Sequence, residues 1–149
     1  MIENKLNIIF LDIDGCLNST IGESQNLEKH HDMEVDLLEL LQNFIYDNKI
    51  DGIILSSNRR LDVIDYRIIT TGLEDYKIKV LGRTPFDFTL DTRADEILEY
   101  LSLHPNIDKY IIFDDVDDNL SKVFKDKFIK INPYFGIIDK DLNKAKKLL

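Results

Sequence analysis

Two acidic groups stand out because each directly follows four or more apolar residues. Asp12-Ile13-Asp14-Gly15 comes after residues 6–11, and Asp114-Asp115 comes after residues 110–113. Short runs rich in β-branched and aromatic residues read as buried strands. A carboxylate directly after such a strand sits at the carboxyl edge of the sheet, so both groups should emerge on the same edge. If the two strands are neighbours, four carboxylates converge: Asp12, Asp14, Asp114 and Asp115. Such a cluster repels itself unless a cation sits among the oxygens. An all-oxygen donor set with retained waters suits Mg2+.

The elements that must position these groups alternate along the chain. After the first strand, residues 19–32 are polar and aperiodic and read as a loop. Val35, Leu38, Leu41 and Ile45 recur on one face of a helix over 34–46. Residues 52–55 are a second short strand ending at Ser56, followed by Ser57-Asn58-Arg59-Arg60. Leu61, Ile64 and Ile68 mark a helix that stops before Gly72. Residues 77–81 alternate as a strand, and 82–91 read as a loop. Thr92 is the N-cap of a helix carrying Ile97, Leu98 and Leu101, with Pro105 beyond its end. Strands at 110–113 and 128–131 and a terminal helix over 139–149 complete the pattern. Alternating strands and helices predict an α/β, Rossmann-like three-layer sandwich around a parallel sheet of about five strands. In such sheets ligands bind at the carboxyl ends of the strands.

Composition narrows the setting. A chain of 149 residues is one domain's worth, and 44% apolar with 32% charged residues is globular composition. No run approaches the roughly 18 apolar residues of a membrane span, and residues 1–7 lack the pattern of a secretory leader. A lone cysteine, Cys16, closes no internal disulfide, which makes the cytoplasm the expected compartment. The net charge of −9 predicts no extended nucleic-acid-binding surface and no attraction to anionic lipid. The acidic excess lies before Lys109, and the segment after it is net basic.

The strand-end residues resemble the haloacid dehalogenase (HAD) superfamily of phosphohydrolases. Phe10-Leu11-Asp12-Ile13-Asp14-Gly15-Cys16-Leu17-Asn18 is similar to its first motif, Ile53-Ile54-Leu55-Ser56 to its second, and Tyr110 to Asp115 with Asn119 to its fourth. Arg93 fits the position of the third, a single cation before the last of these strands. The Ser-Ser-x-x-Arg at 56–60, the Thr-Arg-x-x-Glu-Ile at 92–97 and Gly136-Ile137-Ile138 resemble small cap-less HAD domains, some found in RNA-repair polyproteins. Members of that group often carry Trp where this chain has Arg59. The resemblance implies that Asp12 is a nucleophile forming an aspartyl-phosphate and Asp14 the general acid and base. Residues two apart in an extended strand face the same side, so both carboxyls could reach one phosphorus. Ser56 would bind the phosphoryl oxygens, with backbone N–H groups around Ile13 to Cys16, Gly15 among them, adding to it. Arg93 would offset developing charge. Mg2+ would be held by Asp12, Asp14 through its carbonyl oxygen, Asp114 and Asp115.

Several assignments stay open on the sequence. Ser57 competes with Ser56 for phosphate, and either Asp114 or Asp115 could be the main ligand. Asn58 and Arg60 beside them, with Arg59, are candidates for substrate contact, and Arg93 has a rival reading as a solvated helix charge. His30 and His31 have no His or Cys at zinc-site spacing. Residues 19–33 and 61–92 are too short for a separate cap, which predicts an open site. A phosphorylated substrate follows, either a small molecule or a nucleic-acid end. Two rivals are a receiver-like phospho-acceptor domain and an inactive HAD scaffold used for binding. The order of the acidic clusters disfavours the first, and the intact Asp12/Asp14 pair disfavours the second.

Overall fold

The computed structural model describes residues 4–149; residues 1–3, part of the segment read for a leader, lie outside them. Five parallel strands form the central sheet in the order β5-β4-β1-β6-β7. They span Leu6–Leu11 (β1), Gly52–Leu55 (β4), Val80–Arg83 (β5), Ile107–Asp114 (β6) and Phe128–Lys130 (β7). A two-stranded hairpin, Lys29–His30 (β2) and Met33–Glu34 (β3), stands apart. The helices are Thr20–Ser24 (α1), Val35–Asp47 (α2), Val63–Asp75 (α3), Arg93–Leu103 (α4), Leu120–Val123 (α5) and Asp139–Leu148 (α6).

The central strands are apolar on both faces because both faces are covered. Ile9 and Leu11 of β1, Ile53 and Leu55 of β4, and Ile111 and Phe113 of β6 pack with α2, α3 and α6. Their alternates Ile8, Phe10, Ile54 and Ile112 pack with Ala94, Ile97 and Tyr100 of α4 and Leu120 of α5. Period-two alternation thus divides each strand between two cores, which is the three-layer sandwich. No helix is long and apolar enough to cross a membrane among the described residues.

Four expectations shift. The segment 19–32 is not wholly loop: it holds α1 and β2, and its last residues form the hairpin turn. β5 lies later than 77–81, so the residue at its carboxyl edge is Thr84, whose N–H donates to the Leu55 carbonyl at 3.0 Å. The helix beginning near Leu61 does not stop before Gly72 but runs to Asp75. Its buried face is Ile69, Gly72 and Leu73, whereas Ile64 is 71% exposed. The apolar spacing fitted two faces of one helix, and packing chose the other. Gly72 is a close-approach site, since a Cβ there would lie 2.8 Å from the His31 Cβ and the Met33 Cε.

Gly72→Ala tests that packing. Ala gains about 1 kcal/mol of helix propensity, but overpacking costs about 1–3 kcal/mol. Urea unfolding should show net destabilisation; stabilisation would mean that the hairpin does not press on α3.

Candidate active site

Parallel pairing brings β1 and β6 side by side with Leu11 opposite Phe113. The chain leaves both strands at the same level, and the Asp12 N–H donates to the Phe113 carbonyl at 3.0 Å. Asp12, Asp114 and Asp115 each present a carboxylate oxygen, and all three atoms lie within 4.8 Å of one another. Asp12 and Asp114 are buried. Burial, then the charge of Asp114, then a hydrogen bond with Asp115 push the Asp12 carboxyl up to about 9. Burial likewise raises Asp114 to about 6, against the opposing pull of Arg93.

Gly15 makes this approach possible. Its φ is +86°, and a Cβ there would fall 2.4 Å from the Asp115 Oδ2. Any other residue would be strained and would also displace a carboxylate of the cluster.

Three carboxylates converge, not four. The Asp14 side chain turns outward and is 56% exposed. Arg59 grips it with two hydrogen bonds, Nε to Oδ2 at 3.0 Å and Nη2 to Oδ1 at 2.9 Å. The Asn18 amide donates to Oδ1 at 2.9 Å. The hydrogen bonds from Arg59 hold the Asp14 carboxyl below its ordinary range. Arg59 also reaches Asp32 in the hairpin turn at 3.1 Å. Neither this pairing nor the part of Asp32 was legible in the sequence. Only the position of Arg59 three residues beyond Ser56 hinted at it.

The other strand ends supply donors. Ser56 is buried, its N–H continues the ladder to the Leu11 carbonyl at 2.8 Å, and its hydroxyl has no partner among the described residues. Ser57 is engaged, since its oxygen accepts from the Arg59 N–H and caps the 3₁₀ turn Asn58–Leu61. Asn58 is exposed. Arg93 opens α4, whose N-cap Thr92 forms a capping box with Asp95. Its side chain is only 14% exposed, and Nε lies 3.3 Å from the Asp114 Oδ2, not aligned as a hydrogen bond. A solvated surface charge is therefore the wrong description of Arg93. The buried Arg93 Nη1, Asp114 Oδ2 and Thr84 Oγ1 also lack partners among the described residues.

Arg60 departs from its expected role in substrate contact. It is 2% exposed and bonds the Thr84, Ser57 and Pro85 carbonyls and, at 2.6 Å, Glu96. It braces the sheet edge to α4. In the first turn, the Gly15 N–H donates to the Asn18 Oδ1 and the Cys16 N–H to the Ile13 carbonyl, so neither is free for an anion. The Cys16 thiol is buried and its pKa is pushed up by that burial, which removes it as a nucleophile. A cleft of about 810 Å3 opens on the Asp14 side, with Asp14, Asn18, Glu23, Lys29, Asp32 and Arg59 on its wall.

A family model for the HAD domain in Swiss Army Knife RNA repair proteins matches residues 8–142. The chain belongs to this HAD family. No curated protein and no solved structure matches it. The sheet order and covering helices are those of a HAD domain without a cap. HAD domains are generally hydrolases of the phosphatase type and typically use Mg2+. The residues present fit that ion. An all-carboxylate donor set is hard and oxygen-rich, and Asp114 keeps an unpartnered oxygen within it.

The raised carboxyls predict an inverted pH dependence for this HAD domain without metal. Between the unfolded value near 4 and the folded value of about 9, native Asp12 holds a proton that the unfolded chain has lost. Stability in EDTA should therefore fall as pH rises through that window, with Asp114 contributing up to about 6. Asp12→Asn should flatten the fall and unfold later than wild type at alkaline pH, by about 2–4 °C per kcal/mol. A less stable variant there would contradict the assignment.

Proposed function

We propose that this HAD domain is a Mg2+-dependent phosphomonoester hydrolase that works through an aspartyl-phosphate on Asp12. The supporting observation is the grouping of Asp12, Asp114 and Asp115 at one sheet edge, beside a buried Ser56 hydroxyl and an Arg93 nitrogen without partners. Bound there by the three carboxylates, Mg2+ would let an anionic nucleophile meet an anionic phosphate.

An Asp12 oxygen attacks phosphorus, the P–O bond to the ester oxygen breaks, and Asp14 delivers the proton that the leaving alkoxide takes. Water then attacks the acyl phosphate, Asp14 accepts its proton, and inorganic phosphate departs with Asp12 restored. Ser56 donates to a phosphoryl oxygen, and Arg93 supplies charge as the transferring group spreads its own. Paired with Arg59, Asp14 is ionised, which is the form the base step needs. For the acid step it must carry a proton, so its grip on Arg59 must loosen when substrate enters.

The substrate proposed is a nucleotide or polynucleotide-end phosphate. The site carries no cap, the adjoining cleft is open to a bulky substrate, and the matched family is described by RNA repair. Lys29 and Arg59 on the cleft wall are paired with Glu23, Asp14 and Asp32, so a phosphate entering there must draw on cations those carboxylates release. The receiver-like alternative loses support because its acceptor would follow the third strand, whereas here the acidic residues follow β1 and β6.

Phosphate release from an aryl phosphate, nucleotides and 5′- and 3′-phosphorylated oligonucleotides tests the proposal. Turnover should need Mg2+ and stop in EDTA. Asp12→Asn should fall to background and Asp14→Asn by about 10²–10⁴-fold. A wild-type protein inert on every one of these substrates would overturn it.

A further inference from the structure

We infer that His30, His31 and Asp75 form a second metal site, one for a late transition-metal ion of the Zn2+ class. It is separate from the carboxylate cluster and independent of the phosphatase proposal. The three side chains each offer a ligand atom, all within 4.8 Å of one another. The His30 Nε2 lies 2.9 Å from the Asp75 Oδ2. The His31 Nδ1 lies 2.9 Å from the Ile68 carbonyl. A carbonyl only accepts, so Nδ1 carries the proton and Nε2 keeps the lone pair. Metal-ligating imidazoles are held in this way, one nitrogen fixed by a backbone carbonyl and the other free to ligate.

The hairpin turn brings the rings together. His30 ends β2 and His31 opens the turn, and their rings lie 4.3 Å apart between centroids, tilted by 36°. His31 and Asp32 form the two-residue turn of this hairpin, with the paired positive φ of +50° and +66° that such a turn takes, and this sets His31 beside His30. Gly72 contributes by lacking the Cβ that would collide with His31.

Two imidazoles and one carboxylate favour Zn2+, Co2+ or Ni2+ over Mg2+, with water completing the shell. Bonds of about 2.0–2.1 Å place donors about 3.4 Å apart, so the group must close slightly. Asp75, with its side chain 51% exposed on the last turn of α3, has room to do so. The ion would pin the hairpin to α3. Asp32, which holds Arg59, is the next residue in that turn.

The test uses the full chain stripped with EDTA and refilled with excess Mg2+, which occupies the carboxylate cluster. Zn2+ should then bind at one equivalent by calorimetry, and Co2+ should develop visible absorption. His30→Gln and His31→Asn, the latter keeping a residue that tolerates positive φ, should each weaken Zn2+ binding by about 100-fold. In the wild type, Zn2+ should shift the ring nitrogen resonances of His30 and His31 and leave those of His104 in place. No binding beyond what Mg2+ displaces, undiminished binding in both variants, or ring shifts absent from His30 and His31 would each overturn the assignment.

Discussion

Repulsion among three carboxylates, two of them buried, is the constraint around which this molecule is arranged. Asp12 and Asp114 are brought together by the in-register pairing of β1 with β6, and Asp115 folds over Gly15 to join them. Alone, the cluster is unfavourable: burial and mutual charge keep Asp12 protonated well above the ordinary carboxylate range. A protonated carboxyl is a poor nucleophile. A cation that favours ionisation would therefore create the nucleophile and relieve the strain in one event.

The scaffold holds this arrangement by rigidity more than by compensation. Parallel strands buried on both faces fix the strand ends, and hydrogen bonds from Asp12, Ser56 and Thr84 to the neighbouring strands carry the ladder to the very edge. Among the described residues Arg93 is the one cation ion-paired with the cluster, at 3.3 Å from Asp114, and it lowers that group without neutralising the set. Arg60 is spent on bracing the edge, and Arg59 on Asp14 and Asp32. Three arginines within reach of one edge thus have three different tasks, decided by burial and by which carboxylate each one meets.

Much of this was legible in the sequence, and the parts that were not have physical reasons. Apolar runs that end in Asp12, Ser56 and Asp114 announced strands and edge alike, because a buried strand is apolar on both faces and its first polar residue marks where it emerges. The N-cap at Thr92 was visible for the same local reason, and its reciprocal partner Asp95 was not. The face of α3 was not, since Leu61, Ile64 and Ile68 share a helical spacing with no record of which side the sheet will cover. The outward turn of Asp14 depends on the left-handed Gly15 and on Arg59, 45 residues away, a partnership no local pattern encodes. Gly72 read as a helix terminator because a glycine needed for close approach looks the same in one dimension.

Coupling between cation and proton separates this account from a merely acidic surface. Mg2+ titrated into metal-free protein near pH 7, by calorimetry in two buffers of different ionisation enthalpy, measures the protons released on binding. The account predicts release approaching one proton per ion in the wild type, since Asp12 enters the titration protonated, and almost none in Asp12→Asn. Mg2+ binding without proton release, or release unchanged by Asp12→Asn, would contradict it.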